Sequence, residues 1–551
     1  MIFRTRPTKH ASIIVCGLAL CLAACGGGSS SSSSVSTTVQ PPVSTGPTWT
    51  VGVFENESLF KNFCATPRSG INPATNAAYP DKAGTTTQEN FWLRSWSNRT
   101  YLWYNEITDL DPALYSDRLE YFGLLKTTRT TASGNPVDKF HFTAPTDEYQ
   151  QSVSSGASVG YGTRIRLLQS SPPREIVVAY TEPSSPAERA GLLRGDRILE
   201  IDGEDAVNGA NTDALNAGLF PATEGEAHTF VVRSVGSADT RTVTMNAQTV
   251  TSAPVRQSKL ITRANGEKVG YVLFNSFGSS ISEEALFDAF TDLQSENVSD
   301  LILDLRYNGG GFLDISSELA YMIAGDNAVN GRIYETLVFN DKYPSTNPVT
   351  NAALTPTPFH RTGQGFSVAS GTPLPTLILP RVFILSTSST CSASESLLNS
   401  LRGINVEVIL IGTTTCGKPY GFYATDNCGE TYFTIQFRGE NDAGFGDYSD
   451  GFSPFESGVT VGEPVNGCVI DDDFTKALGD ESEALLAASL EYIENGSCPA
   501  VSQAAKSEIA WGERPGDDPD DALSLMNDPR VRNRFLLGSS RILNAPVIDS
   551  E

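Results

Sequence analysis

Residues 382–411 read VFILSTSSTCSASESLLNSLRGINVEVILI, and this stretch decides the fold class. The apolar run at 382–385 predicts a buried strand, 394–401 has helical spacing, and 406–411 is a second apolar run. A helix between two buried strands is typical of a βα-type core, in which loops at the strand ends form the sites.

The same alternation continues towards the N-terminus. Strand patterns lie at 269–274 and 301–305, and helical patterns lie at 283–293 and 315–323. Together they predict a βα-repeat domain over residues 251–500.

A serine-rich turn lies inside the opening stretch. Residues 389–395 read STCSASE and join the strand to the helix. That position exposes a side chain at the strand end and directs the positive end of the helix dipole at a nearby oxyanion. Ser392 is therefore a candidate nucleophile. The alternative is that Ser392 and Glu395 form a plain Ser-x-x-Glu capping box.

A lysine and a glycine-rich turn supply further candidates. Residues 412–419 read GTTTCGKP, which places Lys418 in the loop after the next strand, on the same side as Ser392. Burial would lower the pKa of such a lysine and let it act as a base; the alternative is a solvated surface lysine. The strand at 301–305 ends in RYNGGG, residues 306–311, whose backbone N–H groups suit an oxyanion hole or a simple tight turn.

Histidine offers no competing base. His10 lies in the leader, and His141, His228 and His360 lie in no catalytic context. A Ser-His-Asp triad is therefore disfavoured, and the chain has neither a Gly-x-Ser-x-Gly elbow nor a His-Glu-x-x-His helix.

Residues 156–250 are rich in strands. Alternating apolar residues predict the strands 163–168, 176–180, 198–201, 230–232 and 243–245. Among them, residues 185–192 read SPAERAGL, in which Ser185 suits an N-cap, Pro186 the first helical position and Gly191 the helix end.

This string, with VGYG at 159–162, resembles the signature of PDZ domains. The resemblance implies a fold rich in strands with two short helices. It also implies that Gly160, Tyr161 and Gly162 bind a C-terminal carboxylate, while the peptide adds as a strand beside 163–168. The alternative is a PDZ fold that only packs.

The three strings around Gly310, Ser392 and Lys418, in this order and after a PDZ signature, resemble the C-terminal processing (tail-specific) serine peptidases over residues 88–470. The resemblance implies that Ser392 is the nucleophile, that Lys418 is the general base, and that the N–H groups of Gly310 and Ala393 bind the oxyanion. It implies no metal and no cofactor. The implied substrates are proteins or peptides with exposed, unstructured C-termini.

Some positions depart from that family. Phe422 stands where a glutamine often orients the base, which leaves Tyr420 as a substitute; Gly309 replaces a proline, and Cys391 replaces a small residue. The rival hypotheses are a non-catalytic peptide- or ligand-binding envelope lipoprotein on the same fold, and a scaffold whose PDZ domain senses peptides.

The fold class expected is multidomain α/β. Aromatic and apolar residues at helical spacing between residues 88 and 126 predict a small helical N-terminal domain over 51–155. The PDZ domain follows at 156–250 and the peptidase domain at 251–500. The tail, 501–551, is polar and offers no chemistry.

The N-terminus indicates export. Residues 1–24 pair a basic start with an apolar run, as in a signal peptide, and residues 22–25 read LAAC. That ending resembles a bacterial lipobox, which implies lipidation of Cys25 and a flexible tether over 25–50; the alternative is a plain secretory signal. Because Gly26 is not an aspartate, we expect the outer membrane, facing the periplasm or the exterior.

The charge and the cysteine content limit which partners and which cysteine roles we expect. The formal net charge is −25 without a basic block in the mature part, which excludes nucleic acid as an expected partner. Six cysteines remain beyond Cys25, so disulfides are expected, with Cys416–Cys428 and Cys468–Cys498 suggested by proximity. The alternative is that these cysteines bind zinc, which is disfavoured because no Cys-x-x-Cys pair occurs. The oligomeric state is left open.

Overall fold

The computed structural model describes residues 46–72, 76–455, 461–499, 524–528, 532–533 and 541–542. The chain divides into two units, Met1–Gly46 and Pro47–Glu551. The predicted signal peptide at 1–24 and the lipidated Cys25 lie outside the described residues. No helix among those that are described is long and apolar enough to cross a membrane.

Aromatic residues form the core of the N-terminal region. The helices are α1 (Thr86–Thr100), α2 (Arg118–Gly123) and α3 (Thr146–Ser155), and the strands are β1 (Phe63–Cys64), β2 (Lys82–Ala83) and β3 (Phe142–Pro145). Helix α1 begins where the Thr85 side chain accepts the N–H of Gln88. The buried rings of Trp92 and Trp96 stack with centroids 5.1 Å apart. The predicted helical stretch is real but shorter, because 3₁₀ turns separate α1 from α2.

The PDZ region forms one antiparallel sheet with two short helices. Its strands are β5 (Thr163–Gln169), β6 (Glu175–Thr181), β7 (Arg197–Ile201), β8 (Glu204–Asp205), β9 (Ala227–Arg233) and β10 (Thr240–Asn246), in the order β10-β9-β7-β6-β5, with β8 on β7. The helices are α4 (Pro186–Arg189) and α5 (Thr212–Leu219). Ser185 caps α4 as predicted. A separate ladder pairs β4 (Ala157–Gly160) with β11 (Gln248–Thr251).

A seven-stranded sheet is the centre of the third region. Its order is β12-β13-β14-β18-β19-β25-β24, and all neighbours are parallel except β12 and β13. The strands are β12 (Val255–Thr262), β13 (Lys268–Phe274), β14 (Asp300–Asp304), β18 (Arg381–Ser386), β19 (Glu407–Gly412), β24 (Phe452–Phe455) and β25 (Glu463–Val469). The central strands are buried on both faces, which explains their continuous apolar runs.

Helices cover both faces of this sheet. They are α6 (Ser282–Glu296), α7 (Leu313–Val329), α8 (Ala393–Gly403) and α9 (Ala484–Asn495). Helix α7 is longer than predicted and kinks at Gly325, whose φ is 74°.

The other short strands lie outside the seven-stranded sheet. They are β15 (Gly311–Phe312), β16 (Ile333–Val338), β17 (Thr357–Pro358), β20 (Tyr420–Gly421), β21 (Thr425–Asn427), β22 (Glu430–Phe433), β23 (Phe437–Glu440) and β26 (Arg541–Ile542). Strands β21, β22 and β3 form one small sheet, so the N-terminal region pairs directly with the segment after Lys418.

The six cysteines form the disulfides Cys64–Cys428, Cys391–Cys416 and Cys468–Cys498. The predicted Cys468–Cys498 pair is confirmed, whereas Cys416–Cys428 is wrong. The β21–β22 turn carries Cys428 towards β1, which holds Cys64, while Cys416 lies against the turn before α8.

Candidate active site

Ser392 lies at a sharp turn between β18 and α8. Its φ of 61° and ψ of −111° are unusual for a residue with a side chain. Such conformations persist only where the surroundings enforce them, and here Cys391 N–H and Ser394 Oγ both donate to the carbonyl of Asn308. A strained strand-to-helix turn that presents a serine hydroxyl is the geometry of a nucleophile elbow.

The Ser392 turn has the form of the capping box that was the alternative for this residue, because the Ser392 side chain faces the backbone of Glu395 at the start of α8. The side chain is fully buried, and Oγ makes no hydrogen bond with any residue that the structure describes. The return half of the capping box does exist, because Ser392 N–H donates to Glu395 Oε2 at 2.9 Å.

The buried Glu395 carboxylate connects the serine turn to the lysine loop. Oε2 accepts the N–H of Lys418 at 2.9 Å as well as that of Ser392, and Oε1 accepts the N–H of Gly417 at 2.8 Å and the hydroxyl of Thr415. The backbone nitrogens of Ser392 and Lys418 are therefore separated by less than twice 2.9 Å. Burial raises the pKa of Glu395, against the lowering effect of these hydrogen bonds.

The Cys391–Cys416 disulfide is a second connection between the same two loops. Cys391 directly precedes Ser392, and Cys416 lies two residues before Lys418. Spacing alone left this pairing open. The covalent bond limits how far the serine turn and the lysine loop can separate.

Lys418 is fully buried between aromatic rings. Its Nζ lies 4.7 Å from the ring centroid of Phe140 and 4.5 Å from that of Phe422. Burial disfavours the ammonium form, while ring faces favour a cation. Phe422 thus forms a wall of the lysine pocket. No pattern in the sequence pointed to Phe140, which comes from the N-terminal region.

Tyr420, the substitute orienting residue, has other partners. Its ring packs edge-on against Trp103, with centroids 4.9 Å apart, and its hydroxyl hydrogen-bonds to Ser449. The hypothesis that Tyr420 orients Lys418 stays a prediction.

Hydrogen bonds of the Asn308 side chain fix the conformation of the Gly-rich loop, residues 306–311. Gly310 N–H donates to Asn308 Oδ1 at 2.9 Å, so the amide predicted for the oxyanion hole has an internal partner here. Asn308 Nδ2 donates in turn to the carbonyl of Phe274. Ala393, the other predicted donor, is the first residue of α8, where backbone N–H groups have no acceptor within the helix.

A buried charge network supports this loop. Arg306 pairs with Asp304, Asp472 and Glu483 at 2.7–2.9 Å. Burial pushes the pKa of Asp472 upward, but the guanidinium groups of Arg194 and Arg306 hold it at about 2. The network fixes the residues that immediately precede Asn308.

A residue of the PDZ region contacts the same buried charge network. Arg194, from the turn after α4, donates to the Tyr307 hydroxyl at 2.6 Å and pairs with Asp472 at 2.6 Å. Arg166 of β5 also donates to Ser389 in the serine turn. Both contacts connect a PDZ residue with a loop that carries a candidate catalytic group.

Two cavities adjoin these loops. One, of about 340 Å³, is lined by Tyr180 and Glu182 from the PDZ region and by Tyr307 and Gly310 from the core. The other, of about 240 Å³, lies at the loop with Gly160, Tyr161 and Gly162.

The predicted peptide-binding loop has one buried member. The Tyr161 side chain packs into the PDZ interior and its hydroxyl donates to the carbonyl of Gly218 on α5. Only its backbone is therefore placed to meet a peptide. Gly162 has a φ of 69°, and a Cβ there would collide with Ser185.

Comparison with known proteins finds two regions of similarity. Residues 268–421 match Peptidase family S41, and residues 177–233 match a PDZ domain. The chain is 28% identical over 265 residues to the carboxyl-terminal-processing protease of Picosynechococcus sp., covering 48% of this chain and 55% of that one. It is 30% identical over 267 residues to the chloroplastic carboxyl-terminal-processing peptidase 2 of Arabidopsis thaliana, covering 48% and 45%. The chain thus spans about half the length of these curated relatives.

A solved structure shares the fold. A crystal structure of a candidate S41 protease from Bacteroides fragilis covers 76% of this chain and 98% of its own, with a TM-score of 0.55 and 23% identity. The predicted fold class, a mixed α/β chain with a PDZ domain and an S41 protease core, is confirmed.

Proposed function

We propose that this chain, in which a PDZ domain accompanies a peptidase S41 domain, is a serine endopeptidase of the cell envelope. It cleaves proteins or peptides with exposed, unstructured C-termini through a dyad of Ser392 and Lys418. The observation that carries the proposal is the double connection of the two loops, by Glu395 Oε2 and by the Cys391–Cys416 disulfide.

The reaction is an acyl transfer. Neutral Lys418 Nζ takes the proton of Ser392 Oγ while Oγ attacks a peptide carbonyl carbon. The proton passes to the leaving amine nitrogen as the C–N bond breaks. Water, deprotonated by the same lysine, then hydrolyses the acyl-enzyme. The buried Ser392 hydroxyl supports this role, since it stands at the N-cap of α8 and still forms no cap hydrogen bond of ordinary geometry.

The oxyanion is stabilised by backbone N–H groups of Ala393 and Gly310. Because Gly310 N–H donates to Asn308 Oδ1 here, binding the oxyanion requires the amide to exchange that acceptor for the substrate oxygen. The Gly310 amide is therefore paired within the loop before substrate binds, and the oxyanion hole is complete only when the substrate oxygen replaces Asn308 Oδ1.

The location follows from the N-terminal sequence. The LAAC ending at Cys25 supports lipidation, a tethered outer-membrane protein and substrates met in the periplasm or outside the cell. Replacing Cys25 by alanine should release the chain from the membrane fraction. Persistence in that fraction would mean another route of attachment.

The experiment that tests the activity is degradation of an unfolded test protein by the purified full chain. Ser392→Ala and Lys418→Ala should each abolish cleavage, and the double variant should lose no more, because the residues act as one unit. The exposed Ser237→Ala and Lys476→Ala are matched controls that should keep full activity.

A serine-reactive probe separates the peptidase from its rival. Labelling that disappears in Ser392→Ala supports the catalytic assignment. A chain that binds peptides but is neither labelled nor active is the non-catalytic binding protein.

A further inference from the structure

The loops at the carboxyl ends of neighbouring parallel strands carry the proposed site. In the order β13-β14-β18-β19, the Gly310 loop follows β14, the Ser392 turn follows β18 and the Lys418 loop follows β19. Open α/β sheets bind their ligands at the carboxyl ends of such strands. Strand β13 is the last parallel strand on the Gly310 side, and the residue directly after it is Asn275. Asn275 therefore lies at the same edge of the sheet as the proposed site.

Backbone contacts hold the Gly-rich loop against the segment that contains Asn275. Asn308 Nδ2 donates to the carbonyl of Phe274, the residue before Asn275, at 3.0 Å. The N–H of Phe277, two residues after Asn275, donates to the carbonyl of Gly310 at 2.8 Å. The loop that carries a predicted oxyanion donor is thus paired with residues on both sides of Asn275.

The Asn275 side chain has no internal partner. It is 9% exposed, and neither Oδ1 nor Nδ2 forms a hydrogen bond with any residue that the structure describes. Buried side-chain amides are normally hydrogen-bonded, so an unpaired one indicates a partner that binds later. A side-chain amide offers an acceptor and a donor together, which is the pair that an extended peptide backbone also offers. A polypeptide strand can therefore satisfy both polar atoms of Asn275.

Asn275 lines the cavity of about 340 Å³ between the catalytic core and the PDZ region. Tyr180 and Glu182 are walls of this cavity and also of the second cavity, at the loop 160–162, so the two cavities adjoin. In the proposed function, that loop binds the C-terminus of the substrate and Ser392 attacks the scissile carbonyl. The cavity with Asn275 then holds the part of the substrate on the C-terminal side of the scissile bond.

We propose that Asn275 is a substrate-binding residue, whose side-chain amide hydrogen-bonds to a peptide group of the substrate on the C-terminal side of the scissile bond. The inference rests on the proposed function and adds to it a residue outside the Ser392–Lys418 dyad. Asn275 and Ser392 are both buried in the free chain, so the opening that admits substrate to Ser392 has to expose Asn275 as well. Substrate then pairs two polar atoms that the free chain leaves unpaired.

Asn275→Leu keeps nearly the same size and removes both hydrogen-bonding groups. We expect KM for an unfolded test protein to rise about tenfold and kcat to stay within about twofold of wild type, because the lost bonds are made in the ground state and the transition state alike. The midpoint of urea unfolding should equal or exceed that of wild type, since an apolar group of similar shape is tolerated where a buried polar group has no partner.

Two outcomes of this experiment would overturn the proposal. A wild-type KM in Asn275→Leu would mean that substrate does not bind the amide. A raised KM together with a lowered unfolding midpoint would give Asn275 a structural role instead. Asn265→Leu is the matched control, because Asn265 is exposed in the hairpin at the opposite end of β13, and it should change neither KM nor kcat.

Labelling by a serine-reactive probe tests whether the substitution leaves the dyad intact. The probe reacts at Ser392 and carries no peptide group on the C-terminal side of the reacting atom. Asn275→Leu should therefore be labelled at the wild-type rate. Slower labelling would show that the substitution disturbs Ser392 itself, and it would overturn the assignment of Asn275 to substrate binding.

A peptide with an altered backbone separates this inference from the peptidase assignment. Ester bonds replace the N–H groups of a labelled, unstructured synthetic peptide one at a time. One replacement should weaken binding to the Ser392→Ala chain about fivefold and have no further effect when Asn275→Leu is also present. If this coupling occurs but no chain cleaves protein, the binding residue stands and the peptidase assignment fails. If wild type cleaves protein and no replacement is coupled to Asn275, the inference fails while the peptidase stands.

Discussion

Ser392 has a backbone conformation that costs a residue with a Cβ about 1–3 kcal/mol. Replacement by glycine removes both the hydroxyl and the cost, whereas alanine removes only the hydroxyl. We expect both variants to be inactive and Ser392→Gly to have a free energy of unfolding about 1 kcal/mol higher than Ser392→Ala, despite the greater freedom of glycine in the unfolded chain. Urea denaturation compares them. Equal stability of the two variants would mean that the turn is unstrained.

Glu395 acts on the site through two backbones rather than through substrate, so it is a positioning residue. Glu395→Gln keeps the size but replaces one acceptor oxygen by a donor that opposes the N–H groups of Ser392, Gly417 or Lys418. Hydrogen bonds to a charged group are worth about 1.5–3 kcal/mol each, and losing one or two that hold the dyad should lower kcat about 100-fold while KM changes little.

The control for Glu395 is Ser396→Ala, one position along α8, whose hydroxyl donates to Glu335 instead. Its kcat should stay within about twofold of wild type. A parallel rise of KM in Glu395→Gln would show that the residue affects binding and not dyad geometry.

At the scale of elements, α6 and α7 face each other with two buried carboxyl groups. Burial and the neighbouring Glu283 raise the pKa of Glu318 to about 10, from an ordinary 4.5. A raised folded-state pKa means that the stabilising, protonated form is complete below about pH 4.5 and is lost as the pH rises towards 10. Glu318→Gln mimics the protonated form at every pH.

We therefore expect Glu318→Gln to raise the free energy of unfolding by about 2 kcal/mol at pH 8 and to leave it unchanged at pH 4, measured by denaturant titration. Glu283→Gln is the contrasting variant. Its carboxylate accepts the backbone N–H groups of Gln364, Ser367 and Val368, so its loss should destabilise the chain at both pH values. An unchanged stability of Glu318→Gln at pH 8 would show that Glu318 is ionised in the folded chain.

At the scale of the whole molecule, Arg194 joins the PDZ region to the Gly-rich loop that carries Gly310, through Tyr307 and Asp472. Lysine cannot reproduce a guanidinium that contacts both partners. Arg194→Lys should lower kcat about tenfold, because Tyr307 lies three residues before Gly310, and should leave peptide affinity of the PDZ domain unchanged. Steady-state kinetics and peptide titration measure the two effects separately.

Arg241→Lys is the matched control, since Arg241 pairs with Asp196 inside the PDZ region at 2.6 Å. It should alter neither kcat nor KM. Equal effects of the two arginine variants would mean that PDZ stability, and not the contact with Tyr307, controls the rate.

The sequence by itself determined the repeating elements and the candidate dyad. The apolar run at 382–385, the helical spacing at 394–401 and the Ser185 cap each depend on residues within one or two turns of each other, and local periodicity records such relations directly. Ser392 and Lys418 could be proposed together because one helix and one strand separate them.

Only the tertiary structure decided what surrounds those two residues. The Cys64–Cys428 disulfide, the Phe140 ring on Lys418 and Leu525 in the apolar core of the PDZ region are not encoded in any local pattern. Each joins segments far apart in the chain, where closing a loop costs entropy that only the complete core repays. Partners of that kind are selected by how the finished elements pack, so they become visible only when the whole chain is folded.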